Sequence, residues 1–244
     1  MGQTTGIKWT DATGNFWWGC QRVSPGCENC YAEQLATVRR KLPVWGPPKT
    51  TRRDRKKDVW TDIVKWNAAA AREGRRLKVF VSSMADVFED HPQVAPWRDE
   101  ALALLAGLTS LDVQLLTKRP EQVRRRVPAR WPDEPGNLRC DRCGASAPLP
   151  PGMSCPDHRP SATGWPPHVW VGTTVEDQQR ADLRIPRLLE IPAPVRFLSI
   201  EPMLGPVDLA PWIDRHPENY ADQVRGVPVT YSSPIGWVIV GGES

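Results

Sequence analysis

The run LKVFVSS, residues 77–83, is apolar but for Lys78, and rich in β-branched and aromatic side chains, until its last two positions, both serine. It has no strict apolar–polar alternation, so it reads as a strand covered on both faces, the environment of a parallel sheet. Four further runs repeat the pattern: DVQLLTK (112–118), HVWVGTT (168–174), VRFLSIE (195–201) and GWVIVGG (236–242). Helical composition and period lie between them at 60–73, 97–108 and 175–190. The last follows Thr174, read as its N-cap, with Asp177 three positions on in a capping-box arrangement. Strand alternating with helix predicts an α/β fold with right-handed crossovers.

Polar residues recur just past the C-terminal end of each strand. They are Ser82, Ser83 and Asp86; Thr117, Lys118 and Arg119; Thr173, Thr174 and Glu176; Glu201; and Gly241, Gly242 and Glu243. In a βα barrel this rim carries the active site. One such residue is explained by helix capping, but five strands with the same habit predict a functional rim. The fifth run has no helix after it before Ser244, where a barrel strand normally has one. A shortened or fragmentary barrel is therefore expected.

The chain has 244 residues, 40% of them hydrophobic and 25% charged, with a net charge of +4 and a pI near 8.8. This is the composition of a globular protein able to bury a large core. No apolar run is long enough to span a membrane, and MGQTTGIKW lacks the apolar stretch of a secretory signal. N-myristoylation is excluded because position 6 is Gly where Ser or Thr is required. These features predict a cytoplasmic protein, in which clustered cysteines mean metal more often than disulfide. The basic residues are clumped, with Arg52, Arg53, Arg55, Lys56 and Lys57 in one segment and Arg119, Arg124, Arg125 and Arg126 in another. Such clumps suit phosphate contacts, or else form solvated faces.

The six cysteines fall into two groups. Cys140, Cys143, Cys155 and His158 have the spacing C-x2-C-x11-C-x2-H. Two close ligand pairs across a turn-rich loop predict a structural Zn2+ knuckle inserted at 136–160, with Asp157 or His168 as substitutes for His158. Cys20, Cys27 and Cys30 are left without a protein partner. They form either a Cys3His zinc site with His91 or a [4Fe–4S] site in which three thiolates leave one iron open.

The segment IKWTDATGNFWWGCQRVSPGCENCYAE closely resembles the opening of the three-Cys-motif phage protein family. SSMADVFED, LLTKRP, VGTTVED, LSIEPMLGPVDL and WVIVGGES resemble it in order, so the likeness covers nearly all of the chain outside the zinc insertion. That family looks related to radical S-adenosylmethionine enzymes of the spore photoproduct lyase and DNA-repair-photolyase-like group. The resemblance implies a single domain over 1–244, a partial (β/α)6 TIM-like barrel with the cluster in the loop after its first strand. It also implies a chain that continues beyond Gly-Gly-Glu-Ser. The usual radical-enzyme motif is C-x3-C-x2-C, whereas six residues separate Cys20 from Cys27 here, and Asn29 precedes the third cysteine where an aromatic is usual.

Under this resemblance Cys20, Cys27 and Cys30 would hold a [4Fe–4S] cluster whose open iron binds S-adenosylmethionine. Lys118 or Ser82 would meet the methionine carboxylate, and Glu201 or Glu176 the ribose hydroxyls. Thr173 would complete the cofactor's rim, and Gly241 and Gly242 would allow close backbone approach. Asp86 is an alternative partner for Lys118. The expected substrate is DNA, RNA or a nucleotide in repair or modification, contacted by Arg124, Arg125 and Arg126, with a partner protein encoded nearby. The competing readings are a non-enzymatic nucleic-acid-binding phage protein with two structural zincs, and an iron–sulfur redox sensor.

Overall fold

The computed structural model describes residues 5–129, 131, 139–140, 160–161, 164–213 and 235–241. Among them the strands are, in chain order, β1 (Ala12–Gly14), β2 (Trp17–Trp18), β3 (Asp54–Arg55), β4 (Leu77–Val81), β5 (Leu111–Thr117), β6 (Arg139–Cys140), β7 (Pro160–Ser161), β8 (Val169–Thr174), β9 (Arg196–Ile200) and β10 (Trp237–Val240). The helices are α1 (Tyr31–Glu33), which runs on into a π-helical turn at Gln34–Arg39, then α2 (Asp58–Arg72), α3 (Val94–Ala106), α4 (Pro120–Arg126), α5 (Gln178–Leu189) and α6 (Ala210–Ile213).

Six strands form one sheet in the order β1-β4-β5-β8-β9-β10, and every pairing in it is parallel. All five expected runs are strands of this sheet, in sequence order. Residues of opposite parity face opposite sides, so the register separates two layers. Val79, Val113 and Val169 share one face. They are fully buried with Ile63 of α2, Leu102 and Leu105 of α3, and Ile185 and Leu188 of α5. Burying a Leu or Ile side chain stabilises by about 1.5–3 kcal/mol, and this layer contains many.

The other face is aromatic. Phe80, Gln114 and Trp170 are register neighbours there, as are Gly172, Phe197 and Trp237. Trp237 packs edge-on against Trp170 at 6.3 Å and lies 5.9 Å from Phe197. Trp9, ahead of β1, stacks at 4.8 Å on Phe80 and meets Trp237 of β10 at 5.9 Å. The two ends of the sheet thus approach each other over this face, which makes it concave. The ladder is nevertheless open, since β1 and β10 are not paired among the described residues.

Local sequence sets the element ends. Helix α2 buries Ile63, Trp66 and Ala70 on one face, and its chain reverses at Gly74, whose φ of 62° costs glycine little. The predicted cap of the 175–190 helix shifts three residues. Asp177 rather than Thr174 is the N-cap of α5, accepting a 2.8 Å bond from the Arg180 amide. Outside the main sheet, β6 and β7 pair antiparallel and bring Arg139 opposite Ser161, closing the base of the predicted insertion. Cys143, Cys155 and His158 lie outside the described residues, as does Gly242.

Candidate functional site

The segment after β1 arches over the C-terminal ends of the parallel strands, and each part of the arch is tied down. Gly19 donates its N–H to the Met84 carbonyl at 3.0 Å. Its φ of 117° and the nearby Val44 carbonyl leave no room for a Cβ. Asn15 accepts from the Met84 amide at 2.8 Å. A 3-10 turn at Pro25–Cys27 follows, with Gly26 lying flat on the Glu176 carboxyl, where a Cβ would come within 3.0 Å. Cys30 begins α1, and Tyr31 donates its hydroxyl to the Ser83 carbonyl at 2.8 Å.

Two arginines brace this loop from beneath. Arg119 Nη1 donates to Asp86 Oδ2 at 2.6 Å and lies 3.8 Å from the Cys20 sulfur, while its Nη2 donates to the Gln21 carbonyl at 2.8 Å. Arg53 is buried, paired with Glu89 at 2.6 Å, and donates to the Val44 and Gly46 carbonyls. Gly46 in turn donates its N–H to the Cys20 carbonyl.

A cavity of about 390 Å3 lies between the arch and the strand ends, within the usual range for small-molecule sites. Cys20, Cys27 and Cys30 line it on the arch side. On the sheet side it is lined by Phe80, Ser82, Thr174, Ser199 and Glu201, the concave-face parity, with Lys118 alongside. The Ser82 hydroxyl is buried with no hydrogen-bond partner. Glu201 makes no hydrogen bond or ion pair among the described residues.

Burial pushes the Cys20 thiol up to about 12, against the opposing pull of Arg119. Tyr31 is also pushed up to about 12 by desolvation of its hydroxyl end, although the side chain as a whole is exposed. Burial works against ionisation of Asp86 too, but Arg119 and donors from Thr117 and Phe88 outweigh it and hold the carboxyl below its ordinary value. The cavity wall therefore carries a fixed guanidinium–carboxylate pair beside a thiol.

The three thiols are not gathered round one point: no group of three His, Cys, Asp or Glu side chains among the described residues is placed to hold a single metal ion. An iron–sulfur cluster takes one thiolate per iron, so three thiols lining one cavity are the donor set such a group would need. His91 is unsuited to a Cys3His site. Its Nε2 bonds the Thr51 carbonyl and its Nδ1 accepts from the Gln93 amide, so both nitrogens are engaged. His168 is no substitute knuckle ligand through Nε2, which donates to the Leu105 carbonyl at 2.9 Å within the core.

Several expected roles change. Thr173 shares the parity of Val171, on the helix-covered face, and its hydroxyl donates to the Thr117 carbonyl at 2.9 Å. It does not line the cavity. Glu176 is fully buried and paired with Arg184 at 2.6 Å; it supports the Gly26 turn. Asp86 pairs with Arg119, whereas the Lys118 ammonium reaches Thr174 Oγ1 at 3.4 Å. Gly241 is not among the residues lining the cavity, but it lies against Glu201, whose carboxylate a Cβ there would overlap.

The first basic clump is largely spent internally. Arg53 pairs with Glu89, Arg55 with Glu100 and Lys56 with Asp54, and the last two also cover Trp60 and Trp18. In the second clump Arg126 is engaged by Asp90 and Gln122. Arg124 and Arg125 have no such partner among the described residues and line a second cavity. Of the side chains that hold the arch, Arg119 is legible in the sequence as a rim residue and Arg53 as a member of a basic clump, but their pairing with Asp86 and Glu89 is not. Tyr31 carries no sequence signal beyond its place after Cys30.

A family model described as "Protein of unknown function (DUF5131)" matches residues 4–244. No curated protein and no solved structure matches the chain.

Proposed function

The chain belongs to the DUF5131 family of proteins of unknown function, and we propose that it is an iron–sulfur enzyme of the radical S-adenosylmethionine type, acting on nucleic acid or a nucleotide. In this reading the parallel sheet is a partial (β/α)6 barrel and the arch is its cluster loop. The observation that carries it is the placement of Cys20, Cys27 and Cys30 on one wall of a cavity at the C-terminal ends of parallel strands. Oriented sheets of this kind bind ligands at that end.

Cys20, Cys27 and Cys30 would hold a [4Fe–4S] cluster and leave one position for S-adenosylmethionine. The cluster, when bound, supplies the one-electron reduction that cleaves S-adenosylmethionine to methionine and a 5′-deoxyadenosyl radical. The protein's own work is placement and exclusion of water. Ser82, with its free hydroxyl, and Lys118 are set to meet the methionine carboxylate. Glu201, which has no hydrogen bond among the described residues, would accept from ribose hydroxyls, and Gly241 would keep that carboxylate in position. Arg119 offsets thiolate charge at Cys20 and holds the Gln21 carbonyl.

The Cys140, Cys143, Cys155 and His158 set is assigned to a Zn2+ knuckle, separate from the cluster. No helix among the described residues is long and apolar enough to cross a membrane, and we place the protein in the cytoplasm, where thiolate sites stay reduced.

Metal analysis after anaerobic reconstitution tests the assignment. About four irons and four sulfides per chain are expected, with one zinc. Cys27→Ala should lose the iron and keep the zinc. Zinc alone, lost on Cys27→Ala, would overturn it in favour of the two-zinc reading.

A further inference from the structure

Beside the thiol cavity lies a second, open one of about 720 Å3 between α4 and α5. The two share Val23, Lys118 and Arg119 as a common wall at the rim. Arg124 and Arg125 from α4 and Arg187 from α5 line the second. Arg124 and Arg125 are exposed and carry no ion pair among the described residues; the carboxylates beside them in the cavity are Glu121 and Asp90, the latter paired with Arg126. Arg187 is paired only with Glu190, and both are about half exposed. Exposed pairs of this kind contribute little, so an incoming phosphate exchanges for that carboxylate at small cost.

We infer that this groove is the track of a phosphodiester strand, and that the substrate of the neighbouring thiol cavity is one unit of a nucleic-acid chain. A free nucleotide presents its phosphates at one place, whereas the arginines are spread over both α4 and α5. A strand with a phosphate on every unit can meet both helices, with one base turned into the cavity and the flanking backbone on Arg124, Arg125 and Arg187. A single strand suits a groove of this kind better than a duplex, whose bases are already stacked and paired.

This inference rests on the enzyme reading only for what enters the thiol cavity; the groove can be tested without a cluster. Fluorescence anisotropy of the cluster-free protein with labelled single-stranded DNA and RNA, over a salt series, is the experiment. Binding of either strand with a steep salt dependence is expected, together with much weaker binding of free nucleotide monophosphate. Replacing Arg124 and Arg125 by Ser should lower the salt slope by roughly one per residue and weaken every sequence alike. The charge-matched pair Lys57→Ser with Arg72→Ser, at the two ends of α2 and outside both cavities, should change much less. The inference is overturned by undetectable binding at low salt, by an equal loss in the α2 pair, or by equally tight binding of polyglutamate, which would assign the groove to an acidic protein segment. Failure of iron loading with intact strand binding would overturn the enzyme reading and leave the groove standing.

Discussion

The guanidinium of Arg119 lies 2.6 Å from Asp86 and 3.8 Å from the sulfur of Cys20, so one side chain from the end of β5 joins the loop after β4 to the cysteine arch. Its second nitrogen fixes the Gln21 carbonyl. The arch is therefore held at its first cysteine by a buried ion pair as well as by backbone bonds.

Removing that pair should be costly. Arg119→Met leaves Asp86 buried without its cation, and such losses cost about 3–5 kcal/mol. Chemical denaturation of the cluster-free protein measures this. Asp86→Asn/Arg119→Met should recover part of the loss, because neither charge is then stranded. A double variant no more stable than Arg119→Met would show that the pair is not the cause.

The Arg53–Glu89 pair is buried on both sides and supports the Val44–Gly46 segment that contacts the Cys20 carbonyl. Glu89→Gln is expected to destabilise the fold by about 3 kcal/mol and to lower iron uptake on reconstitution. Unchanged iron uptake in a destabilised variant would separate the brace from the site.

Gly241→Ala should act differently. The added methyl displaces Glu201 without touching the thiols, so iron content should be normal and S-adenosylmethionine affinity reduced, as read by titration calorimetry. Normal affinity would remove Glu201 from the ribose role.

Acid sensitivity should track His168. Burial holds its imidazole below the ordinary value of 6.5, so the unfolded chain binds a proton that the folded chain resists. Stability is then complete above the unfolded value and falls as pH drops below it. His168→Gln should flatten that fall between about pH 7 and pH 5. Identical curves for the variant and wild type would place the acid sensitivity elsewhere.

The strands were readable because both faces of a parallel sheet are covered, which leaves near-continuous apolar runs such as 77–81 and 169–174. Strand β1 is Ala-Thr-Gly, with no apolar run at all; its place is set by pairing with β4, which composition does not announce. The rim was readable in position and less so in parity. Thr173 and Thr174 are adjacent in sequence, yet only Thr174 faces the cavity, because alternate side chains point to opposite faces. The basic clump at 52–57 shows a second limit. Whether an arginine is free or bound to a carboxylate such as Glu89, more than thirty positions away, is decided by tertiary contact.

The most direct measurement is the yield of 5′-deoxyadenosine from anaerobically reconstituted, chemically reduced protein given S-adenosylmethionine, compared with Cys27→Ala. The account predicts 5′-deoxyadenosine and methionine in equal amounts from the wild type, and neither above background from the variant. A wild type that carries its full iron and sulfide but never forms 5′-deoxyadenosine, with or without a nucleic-acid strand, would contradict it.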